Sequence, residues 1–507
     1  MKEGKVYLVG AGPSDPELLT LKGSRLLQEA DVIVYDRLVG QSILLQMPEK
    51  AEKIDVGKRA GNHTMPQEQI NQVLLQKAKE GKTVVRLKGG DPFLFGRGGE
   101  ELELLKANGV AFEVVPGITS AISVPAYNGI PVTHRDAVSS LHIITGHKRK
   151  DAEYDIDFEA LVRTKGTLVF LMGLSALEDI CRGLLNAGMA PDMPSAVLQQ
   201  GTTADQRRVI APLCDLPETV KRAGIRTPAI IVVGKVCAYA EEFQWAENKP
   251  LFGCRVAVTR PRARGSRLTG MLRAMGAEVW ELPSIRTVPV LPNPALQDAL
   301  AKPEKYQWLV FTSPAGVEVF CDALVSAGMD MRRFARCRVA SLGSGTTKAL
   351  KERGIVADLQ PEIFDAKHLG QALADACRAG DRVLIPRAEK GSRELLEALH
   401  GRAVEVVDLP TYRTEYEAPQ AVDVPAAVES GTLTAAVFTS ASTVAGFVNL
   451  AQGAELTRLT AVCIGHQTEK AAREAGMKTV TAKAATLEAL VQAVAEYYQN
   501  KKEQVNA

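Results

Sequence analysis

Short apolar runs separated by glycine and proline turns dominate the first half of the chain. Six of these runs are rich in β-branched residues and predict strands: KVYLVG (5–10), DVIVYD (31–36), TVVRLKGG (83–90), LHIITGH (141–147), TLVFLMG (167–173) and AIIVVGKV (229–236). Helical stretches alternate with several of them, such as the one with apolar Ile70, Val73 and Leu74. Alternating strands and helices predict an α/β fold.

The second half contains an internal duplication. Arg255 in CRVAVTRP recurs as Arg382 in DRVLIPRA, an offset of 127 residues (382 minus 255). The same offset relates ELPSIRT (281–287) to DLPTYRT (408–414), and FTSPAGV (311–317) to FTSASTV (438–444). LGSGTTKAL (342–350) matches IGHQTEKAA (464–472) more loosely. A repeat of this length predicts two similar α/β lobes, not the units of a solenoid.

Composition and charge narrow the class of protein. Of 507 residues, 46% are hydrophobic and 24% are charged, which excludes a disordered or collagen-like chain. The 61 basic and 59 acidic residues nearly balance, so we expect no nucleic-acid partner. Without a signal-peptide pattern or an apolar run of roughly 18–20 residues, we expect a cytoplasmic protein with no membrane partner. The spacing of the eight cysteines and seven histidines predicts free thiols and no metal site.

Gly10 and Gly12 follow the first predicted strand, and Asp36 ends the second. This order is typical of a dinucleotide-binding fold, in which an acidic residue binds the ribose. It supports one alternative function, an NAD-dependent oxidoreductase with a C-terminal ligand-binding bilobal module. The glycine pattern is incomplete, because Asp15 stands at the sixth position and Pro13 offers no N–H.

A longer glycine-rich block, RLKGGDPFLFGRGGEE (86–101), favours a different family. Together with VGAGPSDPELLT (9–20), VYDRLV (34–39), VPGITSA (115–121) and GIPVTHR (129–135), it resembles the tetrapyrrole methylases, and most closely uroporphyrinogen-III C-methyltransferase. The resemblance covers about 1–240 and implies the two-subdomain fold of that family. Ser14 and Asn128 depart from the family's usual small residues.

The resemblance implies S-adenosylmethionine (SAM) as methyl donor. It places the SAM contacts at Pro13, Gly89, Gly90, Asp91, Leu94, Thr119, Ser120, Met172 and Gly201. It implies that Asp36 and Lys58 form an acid–base pair. It also implies that Arg97, Glu100 and Arg135 hold the porphyrinogen, whose carboxylates suit arginine. Structural roles remain open for several of these, with Asp36 as a strand-end cap and Met172 as a core residue.

Each lobe of the second half places hydroxyls where an apolar run turns into a helix. Taken alone, these residues are either anion sites or helix caps; they include Thr312, Ser313, Thr346, Ser440 and Thr468. The same stretches, with VTRP (258–261), PTYRT (410–414) and IGHQT (464–468), resemble uroporphyrinogen-III synthase over about 251–500. That family cyclises hydroxymethylbilane with inversion of ring D.

Tyr412 matches the tyrosine of the synthase family and is the candidate acid of the second half. The equivalent position in the other lobe is Ile285 (412 minus 127), so the duplication provides the hydroxyl on one side only. A hinge-packing aromatic is the alternative role. A phenol is a weak acid, so we expect a modest catalytic contribution.

These features predict an α/β chain with two enzymes. We expect the methyltransferase at 1–245, a linker at 246–253 and the synthase at 254–500, with lobe 1 formed by 254–285 plus 415–500 and lobe 2 by 286–414. The synthase product, uroporphyrinogen III, would be methylated twice to precorrin-2. No segment resembles an NAD-dependent dehydrogenase–ferrochelatase module, so we expect the reaction to stop there. The family resemblance also implies a homodimer through the methyltransferase half.

Overall fold

The computed structural model describes residues 4–57, 65–146, 156–260, 262–417 and 421–506. They fall into two compact units, one from Met1–Ser284 with Ala418–Ala507 and one from Ile285–Glu417. The described residues form four five-stranded sheets with helices between the strands, so the predicted α/β class is confirmed. Within the described ranges, no helix combines the length and apolar character that crossing a membrane requires.

The first sheet is wholly parallel, in the order β3-β2-β4-β1-β5. The cores of β1 and β2 are continuous apolar runs, as expected where helices cover both faces of a sheet; Val6, Leu8 and Val9 are fully buried. The elements are β1 (Lys5–Gly10), α1 (Leu21–Glu29), β2 (Val32–Tyr35), α2 (Gln41–Leu44), β3 (Glu52–Asp55), α3 (Gln67–Lys79), β4 (Thr83–Lys88), α4 (Gly98–Ala107), β5 (Ala111–Val115) and α5 (Ser120–Tyr127).

The second sheet is mixed, in the order β6-β7-β10-β8-β9. Only β6 and β7 pair in parallel, and the other neighbours are antiparallel. Apolar clusters lie on both of its faces. The elements are β6 (Leu141–Thr145), α6 (Phe158–Thr164), β7 (Thr167–Leu171), α7 (Leu177–Asn186), β8 (Pro194–Gln199), β9 (Arg207–Pro212), α8 (Leu216–Ala223) and β10 (Ala229–Val233).

The duplicated half supplies the remaining two sheets. Its first part contains β11 (Arg255–Val258), α9 (Arg262–Ala274), β12 (Glu278–Glu281), β13 (Ile285–Pro289), α10 (Pro294–Ala301), β14 (Trp308–Phe311), α11 (Pro314–Ser326), β15 (Arg338–Ser341), α12 (Ser344–Glu352) and α13 (Ala366–Ala376). Its second part contains β16 (Arg382–Ala388), α14 (Glu394–Leu399), β17 (Glu405–Tyr416), α15 (Val424–Glu429), β18 (Ala435–Phe438), α16 (Ala441–Leu450), β19 (Thr460–Cys463), α17 (His466–Glu474), β20 (Lys478–Thr481) and α18 (Leu487–Asn506).

The two lobes exchange strands between the copies of the repeat. The sheet of lobe 1 has the order β12-β11-β18-β19-β20, and the sheet of lobe 2 has the order β13-β17-β16-β14-β15. In the repeat, β11 and β12 correspond to β16 and β17, and β14 and β15 correspond to β18 and β19. The four strands β12-β11-β18-β19 of lobe 1 therefore have the same order as their counterparts β17-β16-β14-β15 in lobe 2. The predicted pair of duplicated α/β lobes is therefore confirmed, with each lobe built from both copies.

Candidate active sites

The first sheet brings four strand ends together at one edge. Because its strands are parallel, the carboxyl ends of β2, β4, β1 and β5 lie side by side in that order. The chain leaves these ends through Asp36, Gly89–Asp91, Gly10–Gly12 and Gly117, respectively. Ligands of open α/β sheets bind outside the carboxyl ends of the strands. Residues distant in sequence therefore meet at one candidate site.

Glycines allow these strand ends to approach each other closely. A Cβ on Gly117 would lie 2.1 Å from the carbonyl oxygen of Gly90, and one on Gly10 would lie 2.4 Å from the Cα of Gly117. Gly12 and Gly90 exchange backbone hydrogen bonds of 3.2 and 2.8 Å. Gly90 has φ of +68°, and the nearest atom to a Cβ there is the Cα of Thr119 at 3.9 Å. The backbone of Gly90 therefore borders open space, where a ligand can approach it.

Asp91 fixes the shape of this edge with both carboxylate oxygens. Oδ1 accepts hydrogen bonds from the amides of Phe93 (2.8 Å) and Leu94 (3.1 Å), and Oδ2 accepts one from the amide of Gly117 (3.0 Å). The sequence indicates a carboxylate that binds a ligand directly, whereas the structure shows it joining the turn after β4 to the turn after β5. A carboxylate has about four acceptor sites, so one remains for a ligand.

Thr119 and Ser120 begin helix α5 beside the glycine edge. Thr119 is the N-cap, and its Oγ1 accepts a hydrogen bond from the amide of Ala121 at 3.3 Å. A Cβ on Gly90 would lie 4.0 Å from the amide nitrogen of Ser120, so this helix start faces the same space. Leu94 is half-buried and packs against an apolar cluster of the second sheet.

The loops after β7 and β8 carry the other residues expected to contact the methyl donor, Met172 and Gly201. Met172 is 52% exposed, with φ of +58°. Gly201 lies between Gln200 and Thr202, which have φ of +44° and +71°. Such backbone is rare outside glycine and concentrates at functional sites. The hydroxyl of Thr202 donates to the carbonyl of Pro13 at 2.9 Å, so the loop after β8 contacts the loop after β1.

A charge network that we did not predict lies beside Asp36. Oδ2 of Asp36 accepts from Nη2 of Arg86 at 3.2 Å, and Oε1 of Glu101 accepts from Arg86 (3.1 Å) and Lys88 (2.8 Å). Arg86, Lys88 and Glu101 are buried, and burial followed by the charge of Arg86 lowers the pKa of Lys88. The alternation of RLK in a buried strand puts both cations on one face, which is a signal for such a network. Lys58, the expected partner of Asp36, lies outside the described residues.

The residues expected to hold the porphyrinogen are exposed. Arg97 donates from Nε and Nη2 to the two carboxylate oxygens of Glu100, at 2.9 and 2.7 Å. This pairing keeps the pKa of Glu100 below its ordinary value. Arg135 makes no side-chain hydrogen bond or ion pair with any described residue. Arg135 is therefore available to an incoming carboxylate, whereas Arg97 has to exchange Glu100 for it.

Lobe 2 joins two of the predicted site residues directly. The hydroxyls of Ser313 and Tyr412 lie 2.8 Å apart, although the residues are 99 positions apart in sequence. Ser313 is also the N-cap of α11, accepting from the amide of Gly316 at 3.0 Å. Tyr412 is only 7% exposed and pairs with Pro289 in the antiparallel β13–β17 ladder. The structure thus brings the candidate acid to the start of a helix.

The other hydroxyl residues of the lobes occupy helix starts. Thr312 is half-buried directly before α11, and Ser440 is the N-cap of α16 in a capping box with Thr443. Thr346 and Thr468 lie in the first turns of α12 and α17, and each is 4% exposed. Ser440 therefore has the capping role of the structural alternative. Thr346 and Thr468 are buried but cap no helix, because the N-caps of α12 and α17 are Gly343 and Gly465.

The chain resembles known proteins over nearly all of its length. The family described as Tetrapyrrole (Corrin/Porphyrin) Methylases matches residues 5–217, and the family described as Uroporphyrinogen-III synthase HemD matches 266–492. The "Porphyrin biosynthesis protein HemD" of Ruminiclostridium josui is 46% identical, with 98% of each chain covered. This relative spans both halves of the present chain.

Two further relatives are named for methyl transfer. The "S-adenosyl-L-methionine-dependent uroporphyrinogen III methyltransferase" of Methanosarcina barkeri is 57% identical over 46% of this chain and 92% of its own. The "Uroporphyrinogen-III C-methyltransferase" of Bacillus subtilis is 41% identical over 71% of this chain and 74% of its own. These matches do not support the alternative of an NAD-dependent oxidoreductase.

Proposed function

The chain belongs to the tetrapyrrole methylases and the uroporphyrinogen-III synthases, joined in one polypeptide with both activities, and on that premise we propose that the two enzymes act in sequence. The synthase half closes hydroxymethylbilane to uroporphyrinogen III with inversion of ring D. The methylase half then transfers two methyl groups from SAM, to C2 and C7, and releases precorrin-2. The observation that carries the proposal is the glycine-lined edge between Asp36 and the turn at Gly117.

The glycine edge is the proposed site of the methyl donor, SAM. When bound, SAM supplies an activated methyl group, so the protein has mainly to align the transfer and exclude water. Gly90 leaves room for the ligand at its backbone, since a Cβ there would meet no atom nearer than 3.9 Å, whereas Gly89 packs against Leu38. Asp91 keeps the turn in place. Pro13, Leu94, Thr119, Ser120, Met172 and Gly201 complete the set of residues that would hold the donor.

Asp36 would accept the proton that the macrocycle loses after methylation. Its carboxylate is partly exposed and is fixed by Arg86 on Oδ2 and by the amide of Leu38 on Oδ1, at 3.2 and 3.1 Å. A positioned carboxylate of this kind can act as a general base. Lys58 remains its proposed partner.

Arginines would hold the carboxylates of the macrocycle. The exposed guanidinium of Arg135 can pair with a carboxylate in bidentate geometry. Arg97 can do the same on leaving Glu100, whose carboxylate is then free to accept from a pyrrole N–H. We therefore assign substrate binding to Arg97, Glu100 and Arg135.

Tyr412 would start the synthase reaction. Its phenol donates a proton to the hydroxyl of the hydroxymethyl group as that C–O bond breaks, so that water leaves and a protonated azafulvene forms. Return of the pyrrole N–H proton to the phenolate then gives the neutral azafulvene. Ser313 supports this role, because its hydroxyl lies 2.8 Å from the phenol and fixes its direction. Thr312, Thr346, Ser440 and Thr468 are proposed to bind substrate carboxylates, with helix capping as the alternative role.

The proposal also includes a metal-free homodimer, formed through the methylase half, in the cytoplasm.

Chromatographic separation of the type I and type III isomers, followed by mass spectrometry of the products from hydroxymethylbilane, tests this proposal. Without SAM, we expect uroporphyrinogen III faster than the spontaneous type I isomer; with SAM, we expect the dimethylated product. Asp91→Ala should reduce methylation and spare cyclisation, and Tyr412→Phe should do the reverse. Type I product alone would refute the synthase assignment, and unmethylated type III product would refute the methylase assignment. Conversion to sirohydrochlorin on addition of NAD would refute precorrin-2 as the end product.

A further inference from the structure

One ion pair is present in both lobes of the duplicated half. Arg255 contacts Glu278 at 2.9 Å, and Arg382 contacts Glu405 at 2.7 Å. In each lobe the two residues are the first of adjacent parallel strands and lie opposite each other in the ladder. Each ion pair therefore joins the starts of two neighbouring strands. The presence of the pair in both lobes indicates that it was duplicated together with the strands.

The two copies differ in what covers them. The side chains of Arg255 and Glu278 are 8% and 14% exposed, whereas those of Arg382 and Glu405 are 29% and 62% exposed. Part of the additional cover comes from lobe 1, where Arg255 lies over the ring of Trp280 and donates to the carbonyl of Thr432, and part comes from the methylase half. Nη2 of Arg255 also donates to Oδ2 of Asp205 at 2.5 Å. This contact joins the strand start of lobe 1 to the methylase half.

The carboxylate of Glu278 binds a backbone amide of the methylase loop that also contains Asp205. The amide of Ala204 donates to Oε2 of Glu278 at 2.8 Å, and Oε1 of Glu278 accepts from the indole of Trp280 at 2.8 Å. Both carboxylate oxygens are thus committed, and their direction is fixed. The loop, residues 200–206 between β8 and β9, is held at its centre by lobe 1.

The other side of loop 200–206 belongs to the methyl-donor site. Thr202 donates through its hydroxyl to the carbonyl of Pro13, at 2.9 Å. Its amide donates to Oε1 of the buried Gln206 at 2.9 Å, and Nε2 of Gln206 donates to the carbonyl of Tyr127 at 3.1 Å. Gly201, a proposed SAM contact, lies within the same loop. A single short loop therefore contacts the donor site and lobe 1.

The loop is not embedded in continuous packing. A cavity of about 110 Å³ lies beside it, with Asp15, Thr202, Gln206 and Glu278 among its lining residues. Gln200 and Thr202 also hold positive φ, a conformation that persists only where surrounding contacts impose it. The hydrogen bonds of Thr202 and Gln206, together with the packing of buried Gly201 against Val124, consequently determine the position of Gly201.

We propose that Arg255 and Glu278 are positioning residues for methyl transfer, holding loop 200–206 in the conformation that binds SAM. The inference rests on the proposed function, since it takes Pro13 and Gly201 as SAM contacts. Lobe 1 of the synthase thereby sets the affinity of the methylase for its donor. Linkage makes the effect reciprocal, so bound SAM stabilises the starts of β11 and β12.

Calorimetric titration of the full-length protein with SAM tests this inference with a matched pair of variants. Glu278→Ala removes the acceptor of the Ala204 amide, and Glu405→Ala removes the duplicate carboxylate, which has no methylase contact. We expect Glu278→Ala to weaken SAM binding about fivefold or more and to raise the KM for SAM with kcat nearly unchanged. Glu405→Ala should bind SAM as the unaltered protein does. Hydrogen exchange should show SAM protecting β11 and β12 but not β16 and β17.

Asp205→Ala provides a second variant on an exposed side chain, in case Glu278→Ala does not fold. We expect it to weaken SAM binding about threefold, since it removes one of two contacts. Unchanged affinity in the folded Glu278→Ala or Asp205→Ala protein would overturn the inference, as would an equal loss in Glu405→Ala. If the unaltered protein binds no SAM, the proposed function itself fails, and the inference fails with it.

Discussion

The two lobes of the synthase half share a helix start and use it differently. Ser313 and Ser440 both cap a helix, by accepting from the amides of Gly316 (3.0 Å) and Thr443 (3.3 Å). In lobe 1, the hydroxyl of Thr443 closes a capping box. In lobe 2, glycine stands at that position, and Ser313 instead hydrogen-bonds Tyr412. The duplication therefore copied the serine N-cap into both lobes. The proposed acid chemistry is found only in lobe 2, where Ser313 hydrogen-bonds Tyr412.

The ion pairs at the strand starts follow the same rule. Arg255 and Glu278 contact the methylase loop, whereas Arg382 and Glu405 remain more exposed. A contact present in both lobes is best explained by the scaffold, and a contact present in one lobe needs a separate explanation. This comparison makes each lobe a control for the other.

Tyr412→Phe gives the largest expected difference between the lobes. Removing the only proposed acid should lower the synthase kcat roughly 100-fold, the lower end of the range for general acid catalysis, as expected for a phenol, which is a weak acid. Methylation of supplied uroporphyrinogen III should not change. Tyr416→Phe, on the same strand but 55% exposed, is the matched control and should retain full activity. Initial rates of isomer III formation measure both variants; an active Tyr412→Phe would remove Tyr412 from the mechanism.

The ion pairs differ in what they contribute to stability. Glu278→Ala leaves the buried Arg255 with Asp205 as its remaining charged partner and should cost about 2 kcal/mol, somewhat less than breaking a fully buried pair. Glu405→Ala breaks an exposed pair and should cost less than about 1 kcal/mol. Hydrogen exchange of amides in β11 and β16 reports the two lobes separately. Equal costs would show that the methylase contact adds nothing to the first pair.

Serine-to-alanine substitutions at the two caps separate capping from chemistry. Ser313→Ala and Ser440→Ala should each lower stability by about 1 kcal/mol, the ordinary value of an N-cap. Only Ser313→Ala should also lower the synthase kcat, several-fold, because Tyr412 loses its hydrogen-bond partner. Chemical denaturation and steady-state rates measure the two effects. Matching losses of kcat in both variants would contradict a special role for Ser313.

The smallest expected effect is a pH dependence of the β13–β17 ladder in lobe 2. Hydrogen bonds from Arg413 and Arg286 hold the pKa of Glu415 below its ordinary value. A lowered carboxyl pKa contributes stability above the ordinary pKa, and this contribution is lost as the pH falls through the folded-state pKa. Glu415→Gln should therefore weaken the β13–β17 ladder slightly at about pH 7 and by less at about pH 3. Hydrogen exchange of this ladder at both pH values checks the sign; a larger effect in acid would contradict it.

The strands of the first half were predictable, and their ends were less so. The run 5–10 is a strand over its whole length, whereas the run 83–90 ends at Lys88 and the run 167–173 ends at Leu171. In both cases the excess residues turn away from the sheet toward the candidate site. Apolar periodicity identifies buried strands, but it does not show where the chain leaves the ladder.

The candidate site was predictable as a set of motifs and not as a set of contacts. Motif order identifies Asp91, but only the fold shows that its carboxylate binds the amide of Gly117. The pairing of Ser313 with Tyr412 and the contact of Asp205 with Arg255 join residues far apart in sequence. Such pairs depend on strand order, which a single sequence does not specify.

SAM affinity of a matched pair of glycine variants tests the central claim, that the glycine edge binds the methyl donor. Gly90 and Gly109 have φ of +68° and +70°, so alanine costs similar backbone strain at either position. A Cβ at Gly90 would enter the space proposed for SAM, whereas Gly109 follows helix α4 on the surface. We predict that Gly90→Ala weakens SAM binding at least about tenfold and that Gly109→Ala leaves it unchanged. Equal affinity in Gly90→Ala and the unaltered protein would contradict the claim.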